Sequence, residues 1–84
     1  MKIQFHKHFK KSLQKQPIAI QIRFKEKFRI FEIDQFHYSL NNHALTGKFK
    51  GIRSINITGD IRVHYEEAED IIIFLNIGSH SELY

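Results

Sequence analysis

The sequence of 84 residues contains no cysteine and only one proline. Without cysteine, the chain can form neither a disulfide framework nor a thiolate metal site, which fits a reducing compartment, and we expect a cytoplasmic protein. No apolar run is long enough to span a membrane, and the first residues lack the apolar segment and small-residue cleavage site of a signal peptide. A chain of this length predicts a single small domain, residues 1–84, with one modest hydrophobic core.

Positive charge is concentrated in one part of the chain. Residues 1–50 hold 11 of the 13 Lys and Arg and 3 of the 9 acidic residues, which gives this part a net charge of +8. Residues 51–84 carry a net charge of −4, so the total is +4. A basic segment of this strength favours an anionic partner such as nucleic acid, but small soluble proteins are often basic without binding one.

One short strand and a first helix are predicted at the start of the chain. Residues 2–5 alternate polar and apolar side chains, as a half-buried strand does. Residues 6–14 then place Phe9 and Leu13 four positions apart, on one face of a basic helix. Pro17 ends this helix and suits the first turn of the next one. The pattern therefore predicts a helical hairpin hinged at the proline.

The segment after the proline carries two competing patterns. Residues 18–24 alternate like a strand, whereas Phe24, Phe28 and Phe31 recur at helical spacing. The apolar pattern extends to about Phe36 without a glycine, which is long for a strand and ordinary for a helix. We therefore predict a second helix, with its phenylalanine stripe in the core.

Three antiparallel strands are predicted for the rest of the chain. No clear periodicity is present between residues 34 and 50, so we predict a connecting loop there, with Gly47 and Gly51 in turns. The strands that follow are residues 52–57, 61–65 and 71–77, separated by turns at 58–60 and 66–70. The order of a strand, two helices and a three-stranded meander predicts an α+β fold in two layers with one twisted sheet.

Three short motifs follow one another in the second half of the chain: His43-x-Leu45-x-Gly47-x(3)-Gly51-x-Arg53, Asp60-x-Arg62-x-x-Tyr65 and Gly78-x-His80-x-x-Leu83-Tyr84. In this order and at this spacing they resemble the RelE/ParE superfamily of bacterial type II toxins, and in particular its YafQ-like subgroup of mRNA interferases. The resemblance implies a microbial-ribonuclease-like fold and an enzyme that enters the ribosomal A site and cleaves mRNA without a metal or other cofactor.

The resemblance also implies the catalytic groups. Cleavage by a ribose 2′-OH needs a base for the hydroxyl proton, an acid for the leaving 5′-oxygen, and support for the charge on phosphorus. Matched to the family motifs, these roles fall to His43, Asp60 and His80. Taken from the residues alone, His80 also fits a surface or capping position, and Asp60 fits an ordinary turn aspartate.

Further side chains are implied as RNA ligands. Tyr84 falls where YafQ-like toxins place an aromatic residue that stacks on a base, although it also fits a ring packed on the sheet. One position departs from the family pattern, because Asn56 stands where a histidine is frequent and an amide cannot exchange a proton near neutral pH. The predicted RNA-binding set, which includes two arginines as phosphate ligands, is Asn56, Arg53, Arg62, Tyr84, Lys48 and Lys50.

Partners and rival functions follow from the same resemblance. The implied partners are a co-encoded antitoxin, the ribosome and mRNA, with no membrane, and a toxin–antitoxin hetero-oligomer that binds operator DNA through the antitoxin. One alternative is a ParE-like toxin that poisons gyrase. A second is a catalytically weakened toxin that mainly binds its antitoxin, which Asn56 keeps open. No metal site is predicted, because His6 and His8 are two residues apart and a helix places neighbouring ligands three or four apart.

Overall fold

The computed structural model describes residues 2–84, which form an α+β fold. Two single turns of 3-10 helix, Tyr38–Leu40 and Gly47–Phe49, lie in the connection between the second helix and the meander. The main elements, in chain order, are β1 (Lys2–Phe5), α1 (Lys7–Lys15), α2 (Ile18–Ile33), β2 (His43–Ala44), β3 (Ile52–Asn56), β4 (Ile61–Ala68), β5 (Ile71–Ser79) and α3 (His80–Leu83). The predicted α+β class and the order of strand, helical hairpin and meander are confirmed.

Five strands form one mixed sheet in the order β1-β5-β4-β3-β2. β1 runs parallel to β5, and the other neighbouring pairs are antiparallel. The chain therefore leaves one edge of the sheet through α1 and α2, reaches the opposite edge at β2, and returns strand by strand to β5 beside β1. This path brings the segments around β2 and the end of β5 to the same sheet, although they are far apart in sequence.

The segment that was predicted as a loop contains the fifth strand. β2 consists of His43 and Ala44, which pair with Ser54 and Arg53 of β3, and Leu45 N–H continues the contact by donating to the Ile52 carbonyl at 2.9 Å. Two residues are too few to give an alternating pattern, so the sequence carries no signal for this strand. The strand fixes the position of His43 on the edge of the sheet.

The core lies between the sheet and the helical hairpin. α1 ends where Gln16 N–H donates to the Leu13 carbonyl at 3.1 Å, and α2 starts directly after Pro17. Phe74 of β5 lies at the centre of the core, within 5.3–6.1 Å (between ring centroids) of six aromatic rings: Phe5, Phe9, Phe24, Phe28, Phe31 and Tyr65. The phenylalanine stripe of α2 therefore packs in the core as predicted.

A β-bulge keeps the two faces of the sheet chemically distinct. His64 is opposite Asn76, whereas Tyr65 is opposite Phe74, so Leu75 is the extra residue on β5. This register turns Tyr65 and Phe74 towards the helices, where both are fully buried. The other face carries polar residues towards the end of β5, among them His64 and Asn76.

The turns differ in length from the prediction. β4 continues through the first acidic residues to Ala68, and the chain reverses at Glu69 and Asp70, where Glu69 has a left-handed φ of 53°. Gly47 and Gly51 adopt φ values of 65° and 92°, so their interpretation as turn glycines is confirmed. Within residues 2–84, no helix combines the length and apolar character needed to cross a bilayer.

Candidate active site

Alternate residues of three strands build the polar side of the sheet. Ser54 is opposite His64 and Asn56 is opposite Arg62, and His64 is in turn opposite Asn76 on β5. Directly opposed residues of antiparallel strands point to the same side, so these five residues share one surface, which we name the polar face. The helical hairpin packs on the opposite side of the sheet.

His43 lies at the edge of the polar face on β2. It is opposite Ser54 and so belongs to the same row across the sheet as Ser54 and His64. Its ring Nδ1 is 2.8 Å from the backbone carbonyl oxygen of Asn41. Because a carbonyl oxygen only accepts, Nδ1 carries a proton, and in the neutral form of the ring Nε2 keeps a lone pair. This exposed imidazole therefore has an accepting nitrogen available for a substrate proton.

His80 and Asp60 come together at the end of β5. His80 is the first residue of α3, and its backbone N–H donates to the Asp60 carbonyl oxygen at 3.2 Å. A capping box starts the helix: Ser79 N–H donates to Glu82 Oε1 at 2.7 Å, and Glu82 N–H donates to Ser79 Oγ at 3.2 Å. The pKa of the Glu82 carboxyl is lowered, first by the hydrogen bond from the backbone N–H of Ser79 and second by a hydrogen bond with the Ser79 side chain. The start of this short helix therefore lies against the turn that carries Asp60.

The Tyr84 ring packs over the polar face of the sheet. Its ring centroid lies 4.5 Å from that of His80, 5.1 Å from that of Phe49 and 5.0 Å from that of His64. Its hydroxyl oxygen is 3.0 Å from His64 Nε2. The residue is 44% exposed, so part of the ring is accessible while the hydroxyl points into the polar face.

His64 is the buried histidine of the site. It is 4% exposed and lies under Phe49 and Tyr84, in the row that starts at His43. Burial lowers the pKa of His64, and the electrostatic interactions with His43 and His80 lower it further. The ring is therefore neutral at pH 7, with one nitrogen as donor and the other as acceptor.

Asn56 and Arg62 lie next to each other on the polar face. Asn56 Oδ1 is buried and has no hydrogen-bond partner among the described residues. Arg62 donates from one terminal nitrogen to the carbonyl oxygens of Thr58 at 3.0 Å and Gly59 at 2.8 Å. Arg62 therefore braces the turn that carries Asp60, and it lies on the polar face opposite Asn56.

Arg53 is not brought together with the other predicted residues. It is opposite Tyr65, and strand alternation turns it away from the polar face. Its Nε donates to Asn42 Oδ1 at 2.8 Å, and its guanidinium lies 5.3 Å from the ring centre of Phe36. Its contacts are thus with the segment after α2, on the other side of the sheet.

The two lysines predicted as RNA ligands lie near the 3-10 turn Gly47–Phe49: Lys48 is within the turn and Lys50 directly follows it. Lys48 Nζ is 5.3 Å from the ring centre of Phe49, and Phe49 contacts both His64 and Tyr84. Lys50 is exposed directly after this turn. Lys48 in particular is a cation at the rim of the polar face. Within residues 2–84, no group of three or more His, Asp and Glu side chains is arranged to hold a metal ion.

The sequence as a whole matches one protein family. The family model described as "Bacterial toxin of type II toxin-antitoxin system, YafQ" matches residues 1–84. The chain belongs to the YafQ family. It is therefore a toxin of a type II toxin–antitoxin system, and the resemblance to RelE/ParE and YafQ-like toxins is confirmed. The search of curated proteins found no match.

Solved toxin structures share the fold of this YafQ-family chain. A copper-bound mutant toxin from Helicobacter pylori is 27% identical, with a TM-score of 0.75, over 100% of this chain and 99% of its own. A chain of the archaeal RelE–RelB complex from Pyrococcus horikoshii is 26% identical, with a TM-score of 0.73, over 93% and 92%. A chain of the DinJ–YafQ complex from E. coli is 17% identical, with a TM-score of 0.72, over 98% and 96%.

Sequence reasoning missed two residues of the site. His64 has the same strand parity as Arg62, which was predicted as an RNA ligand, so alternation along β4 places both on the polar face. That signal was available in the sequence. Phe49 follows a glycine in an irregular connection, and nothing in its local pattern indicates that its ring would cover His64. In this YafQ-family chain, the site thus contains three histidines in place of the two predicted.

Proposed function

We propose that this YafQ-family toxin is a metal-independent endoribonuclease that cleaves mRNA in the ribosomal A site. The observation that supports the proposal is that His43 and the tail that carries His80 both approach the buried His64, while the backbone of Asp60 contacts that of His80. His43 comes from the sheet edge, His80 from α3 and Asp60 from the turn before β4. His43 lies in the same row across the sheet as His64, and His80 packs against Tyr84, whose hydroxyl oxygen is 3.0 Å from His64 Nε2.

The proposed reaction uses these groups for two proton transfers. An imidazole or carboxylate removes the proton of a ribose 2′-OH, and this oxygen attacks the adjacent phosphorus. The bond from phosphorus to the 5′-oxygen breaks, and a second group protonates that oxygen, which leaves a 2′,3′-cyclic phosphate and a 5′-hydroxyl. His43, with its free Nε2, suits the role of acceptor or donor of these protons. Arg62 and Lys48 support the charge on phosphorus.

Exposed cations on the helical hairpin would contact ribosomal RNA. The only ion pair among the described residues joins Arg23 and Glu26 at 3.5 Å on the surface of α2. The other exposed basic side chains of the hairpin are therefore available for phosphate groups: Lys7, Lys10, Lys11, Lys15, Lys25 and Arg29. The ribosome and its message place the proposed activity in the cytoplasm.

A co-encoded antitoxin is the proposed protein partner. Similar toxin folds occur in the DinJ–YafQ complex from E. coli and in the RelE–RelB complex from P. horikoshii. Because type II toxins are by definition paired with an antitoxin protein, we expect this chain to form a hetero-oligomer with its own antitoxin. That assembly would bind operator DNA through the antitoxin.

Cleavage of translated messages tests the proposal. Purified toxin is added to translating ribosomes, and new 5′ ends are mapped by primer extension. Wild type should cut within the A-site codon, and His43→Ala with His80→Ala should lower the rate by about 100-fold or more, because each lost proton-transfer group is worth about that much. His8→Ala removes an exposed histidine from α1 and should cut like wild type.

Two outcomes would contradict the proposal. Unchanged message ends with wild type, together with inhibition of DNA supercoiling, would favour the gyrase-poisoning alternative. Cutting by the double variant at the wild-type rate would show that the two histidines do not carry the chemistry.

A further inference from the structure

The buried histidine of the polar face contacts the tail through a single polar bond. His64 Nε2 lies 3.0 Å from Tyr84 Oη, and Phe49 packs edge-on against both rings. His64 is 4% exposed, so its own nitrogens do not reach a substrate phosphate or hydroxyl. Any effect of His64 on RNA must therefore pass through Tyr84, which is partly exposed.

The histidine at position 64 is costly to bury, because an imidazole loses its hydration there and an apolar side chain of similar size would not. Ser54 and Asn76 flank His64 on the neighbouring strands, and Tyr84 lies above it. Of these contacts, the one hydrogen bond of the His64 ring within residues 2–84 is that with Tyr84. A buried polar group without its partner is destabilising, so the bond to Tyr84 is what makes a histidine tolerable here.

The tail needs such an anchor because α3 is short. Four residues are too few for a helix that is stable by itself. The start of α3 is fixed by its capping box and by the His80–Asp60 backbone bond. Its end is fixed by Tyr84, whose N–H donates to the His80 carbonyl and whose hydroxyl meets His64.

We propose that His64 is a positioning residue that holds Tyr84 through the Nε2–Oη hydrogen bond and thereby sets the His80 imidazole in the site. Tyr84 stacks on His80 with a centroid distance of 4.5 Å and an interplanar angle of 35°. A Tyr84 ring that is held at its hydroxyl by His64 therefore restricts the rotation of the His80 ring. The anchoring stands on geometry alone, and its consequence for catalysis rests on the proposed RNA cleavage.

Three variants separate the hydrogen bond from the packing. His64→Leu removes the bond and keeps most of the volume, whereas His64→Gln keeps an amide that can meet the tyrosine hydroxyl. Tyr84→Phe removes Oη and leaves the ring. His8→Leu makes the same change as His64→Leu on the exposed surface of α1 and serves as the matched control.

The anchoring is measured first, by NMR on the full chain without RNA. In wild type, the imidazole nitrogen shifts of His64 should identify one fixed neutral tautomer, and Tyr84→Phe should move them. Amide exchange of Tyr84 should become about five-fold faster in His64→Leu and in Tyr84→Phe, which is the size of effect of one hydrogen bond. His64→Gln and His8→Leu should exchange within about two-fold of wild type.

Cleavage is measured next, with single-turnover rates and substrate affinity determined separately. His64→Leu and Tyr84→Phe should each lower the single-turnover rate about five-fold, and the double variant should be no slower than the slower single variant. Rates of His64→Gln and His8→Leu should stay near wild type. Loss of affinity alone, at an unchanged rate, would overturn the positioning of His80.

The outcomes distinguish this inference from the proposed function. Unchanged His64 nitrogen shifts in Tyr84→Phe, or a glutamine variant as defective as the leucine variant, would overturn the anchoring whatever the activity. If wild type does not cut RNA but the NMR results are as expected, the anchoring stands and the proposed function fails. Multiplicative effects in the double variant would show that His64 and Tyr84 act independently.

Discussion

At the scale of single residues, some buried polar groups of the polar face have a hydrogen-bond partner and others do not. His64 has a partner in Tyr84, whereas Ser54 Oγ and Asn56 Oδ1 are buried without one within residues 2–84. Unpaired buried polar atoms are rare in native proteins and indicate a bound water or a functional surface. Ser54 lies between His43 and His64 in one row of the polar face, and Asn56 is opposite Arg62, which agrees with a surface that is built for a polar ligand.

The neutral state of His64 predicts a pH dependence of folding. Burial first, and then the electrostatic interactions with His43 and His80, lower the pKa of His64 below its ordinary 6.5. In the unfolded chain this imidazole is hydrated and takes up a proton as pH falls through about 6.5. Between that pH and the lower folded-state pKa, the unfolded chain binds more protons, so the free energy of unfolding decreases as pH falls.

Urea unfolding curves would check this dependence. Wild type should lose stability between about pH 7.5 and about pH 5.5, and His64→Gln should lose less because its side chain does not titrate. His8→Gln, which alters an exposed histidine, should keep the wild-type pH dependence. Parallel curves for wild type and His64→Gln would mean that His64 titrates equally in both states.

At the scale of elements, the contact between β5 and α3 depends on a glycine. A Cβ at Gly78 would lie 3.3 Å from Glu82 Oε1 and 3.5 Å from Leu83 Cδ2. The absence of a side chain therefore lets the short helix fold back against the strand. Because this helix carries His80, a larger residue at position 78 should affect both stability and the site.

Substitution of this glycine tests the contact. Gly78→Val should lower the free energy of unfolding by about 1–3 kcal/mol, the usual cost of overpacking, and should increase amide exchange in α3. Gly59 has no atom within 4 Å of an added Cβ, so Gly59→Val should change stability by less than about 0.5 kcal/mol. Equal stability of the two variants, measured by urea unfolding, would contradict a close approach at Gly78.

The elements also show what the sequence predicts and what it does not. The second helix was predicted correctly because a long apolar pattern at helical spacing has no short-strand counterpart, but it ends at Ile33 and not near Phe36. β2 has only two residues, and its position depends on pairing with β3. α3 has four residues, and the position of this tail depends on contacts with Asp60 and His64. Local patterns contain no information about such partners.

The same limit applies to the predicted site. The family motifs selected His43, Asp60 and His80. The structure places His43 in one row with Ser54 and His64 of the polar face, and it brings the backbone of His80 against that of Asp60. Strand alternation would have separated Arg53 from that face and added His64 to it, because both follow from parity once the register is known. Parity along β4 alone relates His64 to Arg62, whereas the position of Arg53 also needs the β3–β4 register, which the local sequence pattern does not give.

At the scale of the whole molecule, most exposed cations and the candidate active site lie on different sides of the sheet. The helical hairpin covers one side of the sheet and carries most of the exposed cations, and the polar face lies on the other side. Acidic residues gather at the end of β4, at Glu66 and Glu67, and in the turn that follows it, at Glu69 and Asp70. If the hairpin binds ribosomal RNA while the polar face cuts mRNA, loss of hairpin charge should weaken binding without changing the chemical step.

Salt dependence of ribosome binding separates these two roles. Lys10→Gln with Lys11→Gln removes two exposed charges from α1. Each lost phosphate contact should lower the slope of log affinity against log salt concentration by about one, so the double variant should lose about two. Its single-turnover cleavage rate at saturating toxin should stay at the wild-type value, because neither lysine is on the polar face.

The matched control changes two charges at the acidic turn. Glu69→Gln with Asp70→Asn alters the same number of exposed charged side chains, but with the opposite sign and away from the hairpin. Because anionic side chains release no phosphate counterions, this variant should keep the wild-type salt slope. A wild-type slope in the lysine variant would mean that α1 does not contact RNA, and a slower saturated rate would mean that the hairpin and the polar face are not independent.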